Sequence, residues 1–134
     1  MRIKDLCKKA HKAAVDKGFW EDPVSPYREL ARNIPELLML TVSELGEACE
    51  ALRIGRRQSY KKVLVHTQIG IKTDDKWKDS MKVIWLKDTF EDELADAVIR
   101  VCDLAESEGI DLEWQIKEKM KYNETSPMKH GKNF

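Results

Sequence analysis

The chain has 134 residues, 42% hydrophobic and 36% charged, a balance suited to a single globular domain, residues 1–134, with a real core. Basic and acidic residues are equal at 24 each, and the zero net charge argues against a strongly basic binder of nucleic-acid polymers. No apolar run reaches the roughly 20 residues that span a bilayer, and "MRIKDLCKKA" has no long apolar stretch of the secretion-signal kind, so no membrane and a cytoplasmic location are expected.

The first predicted helix covers about residues 3–17, with Ile3, Leu6, Cys7, Ala10 and Ala14 on one face, and Gly18 closes it. A proline-bearing connector, "FWEDPVSPYREL", follows. The second helix starts at Asn33 as N-cap, with Pro35 in its first turn and Glu36 three after the cap. Leu37, Leu38, Thr41, Leu45, Ala48 and Leu52 recur at helical spacing until Gly55. A third helix is expected after a capping box of Asp88 and Glu91, running through "LADAVIRVCDLAE" to Gly109. Asp111 caps a fourth, "DLEWQIKEKMKYN", which ends before Ser126-Pro127; a short basic tail carries Gly131.

Residues 56–87 fit this helical pattern least. "KVLVHTQIGIK" alternates apolar residues at Val63, Val65, Ile69 and Ile71, a strand period, so a small β hairpin or loop insertion is expected around residues 56–80 of an otherwise all-α chain. "WKDSMKVIWL" reads as a further helix, continuous with the third in one version. Cys7, Cys49 and Cys102 are far apart, with no CxxC or zinc-type spacing, and read as reduced core thiols.

The informative oddity is acidic. Pairs of acids three apart arise by chance in so charged a chain, and Glu47/Glu50, Asp88/Glu91, Asp103/Glu106 and Glu108/Asp111 read as solvated faces or caps. Two pairs have different surroundings. Glu44 and Glu47 lie among leucines and alanines in "TVSELGEACEAL", and Glu93 and Asp96 lie on the third helix, which is apolar around much of its circumference and is therefore expected to be largely buried. Like charges 4 Å apart repel by about 4 kcal/mol at an effective dielectric of 20. Converging carboxylates must therefore take up protons or share cations, and an all-oxygen donor set suits Mg²⁺ or Mn²⁺. A di-iron carboxylate bundle would need Glu-x-x-His motifs, and neither Glu47 nor Glu93 has a histidine at that spacing.

"ELGE" followed by "ELAD" on the next helix resembles the MazG-like all-α nucleoside triphosphate pyrophosphohydrolases. "AHKAAVDKGFW" is similar to the family's first-helix segment, and "DTFEDELADAVIRVCDLAESEGIDLEWQIKEKMKYN" with "KHGK" to its second half, so the resemblance spans most of the chain outside residues 56–80. It implies a helical bundle, commonly a homodimer or homotetramer, that cleaves NTPs or dNTPs to monophosphate and pyrophosphate with Mg²⁺ and serves nucleotide-pool house-cleaning. By motif, Glu44, Glu47, Glu93 and Asp96 would hold the metal, with Glu47 taking a proton from the attacking water. Lys119 and Lys132 would neutralise pyrophosphate, with Tyr122 and Asn123 as polar contacts and Arg100 on phosphate. His11 and Trp20 match positions that face base or sugar.

Blander readings stand beside these: a surface histidine at His11, a core tryptophan at Trp20, an Arg100 that merely balances acids, and a solvated His130. Trp77 and Trp85 read as packing residues, Cys49 and Cys102 as core, and His66 takes no role. The chain departs from the family in the long separation of Glu47 from Glu93, which requires an insertion, and in Ser126 where relatives carry arginine before the proline. The alternative function is a non-catalytic helical dimer that binds nucleotide or a protein partner through the same acidic pocket.

Overall fold

The computed structural model describes residues 1–21, 33–58 and 86–127. Among these there are four helices and no strand element: α1 (Ile3–Asp16), α2 (Ile34–Arg53), α3 (Phe90–Ser107) and α4 (Leu112–Thr125). The described residues are all-α, as the apolar periodicity predicts. The strand period of residues 63–71 and the helical reading of residues 77–85 lie outside the described residues, as do His66, Trp77, Trp85, His130, Gly131 and Lys132.

The chain divides into two compact units, Met1–Arg32 with Val101–Phe134, and Asn33–Arg100. In the first, Cys7 and Ala10 of α1 and Cys102 and Ala105 of α3 are buried together, with Ile3, Leu6 and Leu112 packed against them. Small side chains at these four positions allow a close helix approach. Cys7 and Cys102 are free thiols. Burial, then the hydrogen bond and charge of Cys7, push the Cys102 thiol up to about 11, far from the thiolate form that reacts. α4 is stitched in at its start. Asp111 accepts from the Trp114 N–H at 3.0 Å, the predicted cap. Glu113 accepts from the Lys4 N–H at 3.2 Å, so a side chain of α4 satisfies one of the orphan donors at the start of α1.

In the second unit, α2 starts at the predicted place, with Asn33 in the N-cap position and Pro35 in the first turn, but the Asn33 side chain makes no capping hydrogen bond. Leu37, Glu44, Ala48 and Ala51 form the buried face of α2. Leu38, Leu45 and Leu52, grouped with that face by sequence periodicity, are instead 50%, 45% and 41% exposed. The inward stripe is the one that carries the acid. Gly55, at φ +72°, supplies the left-handed residue that ends the helix.

α3 departs from expectation in two ways. Glu93, Ala97, Cys102 and Ala105 are buried, but Leu94, Val98 and Ile99 stay open to solvent in the single chain, so its apolar circumference does not bring burial all round. Its cap is also shifted by one residue. Thr89 Oγ1, not Asp88, accepts from the Asp92 N–H at 3.3 Å, and Asp92 Oδ2 accepts in return from the Asp88 N–H at 3.0 Å. The cause is local backbone geometry: Asp88 sits at φ +56°, in the left-handed region, so the chain turns there and α3 begins afresh at Phe90 rather than continuing an earlier helix. Glu91, freed from capping, accepts from the Gln58 N–H at 2.8 Å, which holds it below the usual carboxylate range. Arg57 lies 4.6 Å over the Phe90 ring, and the Phe90 N–H donates to the Arg56 carbonyl. These contacts tie the exit of α2 to the entry of α3.

The Thr89 hydroxyl also donates to the Leu86 carbonyl at 2.7 Å and is buried. Thr89→Ala is expected to lower stability by about 1 kcal/mol in urea unfolding, and Thr89→Ser to retain most of it. Equal midpoints for the two variants would overturn the cap assignment.

Candidate metal-binding carboxylates and a histidine–tryptophan cluster

Ala48 and Ala51 on α2 and Ala97 in the first turns of α3 are buried. Into that setting α2 projects Glu44 and Glu47, and α3 projects Glu93. One carboxylate oxygen from each lies within 4.8 Å of the other two. Glu44 and Glu93 are each 6% exposed, whereas Glu47 reaches solvent. Burial pushes the Glu93 carboxyl above its ordinary value, and the charges of Glu47, Glu44, Asp92 and Asp96 push it further.

Asp96 lies outside the group of three and is exposed. It still senses the same field: burial, then Asp92 and Glu44, raise its carboxyl, and Arg100 pulls it back. Arg100 Nε donates to Glu44 Oε1 at 2.6 Å, so of the two readings of Arg100 the acid-balancing contact is present in the structure. Among the described residues it is the cation paired with this group. A carboxylate has two oxygens and about four lone-pair sites, so the bond leaves Glu44 able to ligate.

The donor set fits a hard divalent cation. Oxygens on opposite sides of Mg²⁺ lie about 4.2 Å apart, and those across Ca²⁺ about 5 Å, from bond lengths near 2.1 and 2.4 Å. The three glutamate oxygens lie within 4.8 Å of one another, inside the wider of these spans, so Mg²⁺ would have to draw them slightly closer.

A second cluster belongs to the other unit. His11 on α1 has Nδ1 2.8 Å from Asp103 Oδ1, and the Trp20 Nε1–H donates to the same oxygen at 3.1 Å. The two rings meet edge to face with centroids 5.0 Å apart. The two residues that the resemblance places near base or sugar are thus in contact, and His11 is more than a solvated surface histidine. On α4, Lys119 Nζ lies 4.6 Å over the Tyr122 ring, and Tyr122 and Asn123 are exposed. Cys49, read as core, is exposed, because it falls on the outward side of α2; Cys102 is buried as read.

Two residues escaped the sequence reading. Asp92 lies one turn before Asp96, where i,i+4 spacing puts both on one side of α3. Asp103 follows Asp96 by seven residues, two helical turns, and was read only as half of a chance pair.

No family model, curated protein or solved structure matches this chain.

The upward shifts of Glu93 and Asp96 have a definite sign. A carboxyl raised in the fold contributes stability fully below its unfolded pKa and loses that contribution as pH rises through the folded value. In the presence of chelator, Glu93→Gln should therefore melt higher than the parent chain at neutral pH, by on the order of 5 °C, with the gap closing as pH falls into the carboxylate range. Thermal melts across that pH range check this, and a variant that melts lower at neutral pH would contradict it.

Proposed function

We propose that this chain is a Mg²⁺-dependent nucleoside triphosphate pyrophosphohydrolase of the MazG-like kind, cleaving NTPs or dNTPs to the monophosphate and pyrophosphate. The observation that carries the reading is the convergence of Glu44, Glu47 and Glu93 oxygens within 4.8 Å, two of the three acids buried, at the motifs on which the resemblance rests. Repulsion of this kind is costly unless a cation belongs there.

Mg²⁺ or Mn²⁺ bound there supplies polarisation of phosphoryl oxygens and a lowered pKa for the attacking water. Glu44, Glu47 and Glu93 would hold it, with Asp96, exposed at the edge of the same field, as a further candidate ligand. In hydrolysis, water oxygen adds to the α-phosphorus, and the bond from that phosphorus to the α–β bridging oxygen breaks. Glu47 faces solvent and is the carboxylate placed to accept the water's proton. The electron pair leaves on pyrophosphate, whose charge calls for cations; Lys119 and Lys132 take that role, with Tyr122 and Asn123 as polar contacts. Arg100 offsets the acids and offers its remaining N–H groups to phosphate. His11 and Trp20 contact the nucleoside. Clearing the nucleotide pool in the cytoplasm is the cellular task that fits.

The exposed side of α2 supports a homo-oligomer. Leu38, Val42, Leu45, Cys49 and Leu52 alternate at spacings of four and three, the seam along which helices pair, and Leu94 and Val98 on α3 repeat the spacing of four. A second copy is the occupant that offers the same seam in return. This contact is the elementary unit of a homodimer or of a homotetramer.

Two experiments test the reading. A panel of canonical and damaged NTPs and dNTPs, with products identified chromatographically, should give metal-dependent pyrophosphate release, reduced by at least about 100-fold in Glu44→Gln and Glu93→Gln. Ligand-induced stabilisation without turnover would identify the non-catalytic binder instead. In sedimentation the chain should run as a dimer or larger, and Leu45→Glu with Val98→Glu should shift it toward monomer; a monomeric parent chain rejects the seam.

A further inference from the structure

The contacts of Asp103 have a consequence for what the histidine beside it can recognise. An indole N–H only donates, so Asp103 Oδ1, which takes the Trp20 bond at 3.1 Å, is an acceptor. The same oxygen lies 2.8 Å from His11 Nδ1, and the hydrogen between them therefore sits on Nδ1. The hydrogen bond at one ring nitrogen decides which tautomer a neutral imidazole adopts. In its neutral form His11 is then left with a lone pair on Nε2, an acceptor and not a donor. The ring is held in place as well as in tautomer. Trp20 meets it edge to face at 71°, and both rings share a single anchoring oxygen. The side chains of His11 and Asp103 are 27% and 18% exposed, so the anchor is sheltered while the imidazole remains reachable.

We propose that Asp103 is a positioning residue that locks His11 in the Nδ1–H tautomer, edge-on to Trp20, so that neutral His11 presents Nε2 to an N–H or O–H donor on the nucleoside part of a nucleotide. The inference rests on the reading above that His11 and Trp20 contact the nucleoside. Within that reading it names the chemistry selected: a base amino or imino group, or a sugar hydroxyl, offered as donor. A ligand that presents only an acceptor at this point meets a lone pair and is rejected, which is the stronger half of hydrogen-bond selectivity.

A merely structural Asp103 would hold the helices together without caring which ring nitrogen carries the hydrogen. The discriminating measurement is therefore the tautomer. Long-range ¹H–¹⁵N correlation spectra of the intact chain, at a pH where His11 is neutral, should show it protonated at Nδ1 and bare at Nε2. Asp103→Asn keeps an acceptor oxygen and should preserve that pattern, whereas Asp103→Leu should shift His11 toward the Nε2–H form. With the nucleotide turned over best in the panel, Asp103→Leu should raise KM by about tenfold with a much smaller change in kcat, Asp103→Asn should raise it less, and His11→Ala should add little on top of Asp103→Leu.

An Nε2–H tautomer in the parent chain overturns the proposal without any variant having to fold. So does an unchanged KM in a folded Asp103→Leu chain whose His11 tautomer has switched. If the parent chain turns over no nucleotide, the pyrophosphohydrolase reading and the ligand half of this inference fall together, and the spectra still decide the role of Asp103 by themselves.

Discussion

Repulsion among carboxylates organises the second unit. Each pair of like charges near 4 Å costs about 4 kcal/mol at an effective dielectric of 20, and Glu44, Glu47 and Glu93 make three pairs with oxygens within 4.8 Å. Arg100 answers one acid with a 2.6 Å contact, but its guanidinium is 41% exposed and screened, so it offsets only part of the load. The remaining strain is recorded in the raised carboxyls of Glu93 and Asp96. A helix pair selected only for stability would place leucines at positions 44 and 93. Alanines at 48, 51 and 97, all buried, sharpen the contrast, because the acids share the inward side with side chains too small to shield them.

The outward side of the same helices poses a complementary problem. Leu38, Met39, Val42, Leu45 and Leu52 on α2, and Leu94, Val98 and Ile99 on α3, are each at least 40% exposed. Apolar surface gains about 25 cal/mol for each Å² removed from water, so a seam of this length has a large reward for finding a cover. The inward face is too acidic to supply a full apolar core, and the outward one is too apolar for solvent. A unit with both properties has carboxylates inside and apolar side chains outside, which inverts the usual amphipathic helix.

Helix existence was legible because it depends on local spacing. Gly55 and Gly109 as stops, Asp111 as a cap and the all-α class follow from periodicity and turn chemistry that act within a few residues. Burial was less legible because it depends on which neighbour arrives. Leu37 and Leu38 are adjacent and equally apolar, yet one is buried and the other half exposed, a difference that their own chemistry does not contain. The cap of α3 was misplaced by one residue for a related reason. Asp88 and Thr89 are both good caps by type, and the left-handed backbone at Asp88, set by contacts between Arg56–Gln58 and Phe90–Glu91, decides between them. Of the acidic site, the motif spacing identified Glu44, Glu47 and Glu93. It had no means of placing Asp96 outside the group of three, because Glu93/Asp96 and Glu44/Glu47 share the same separation and only the partner helix distinguishes them.

Asp103 illustrates what spacing alone misses. On α3 it is one acid among many, three residues from Glu106 and seven from Asp96, and composition gives no reason to single it out. Its significance comes from α1 and the turn after it, which deliver two donors, the imidazole of His11 and the indole of Trp20, to one oxygen. Donors converge on an acceptor in this way only when the acceptor's position is fixed by packing, and Cys102, immediately before it, is 2% exposed within the buried core shared with Cys7. The inert thiol pair thus anchors the stretch of helix from which Asp103 acts. Rigid apolar packing behind a polar anchor gives a hydrogen bond directional meaning, since an oxygen free to move would satisfy either tautomer of the histidine equally well.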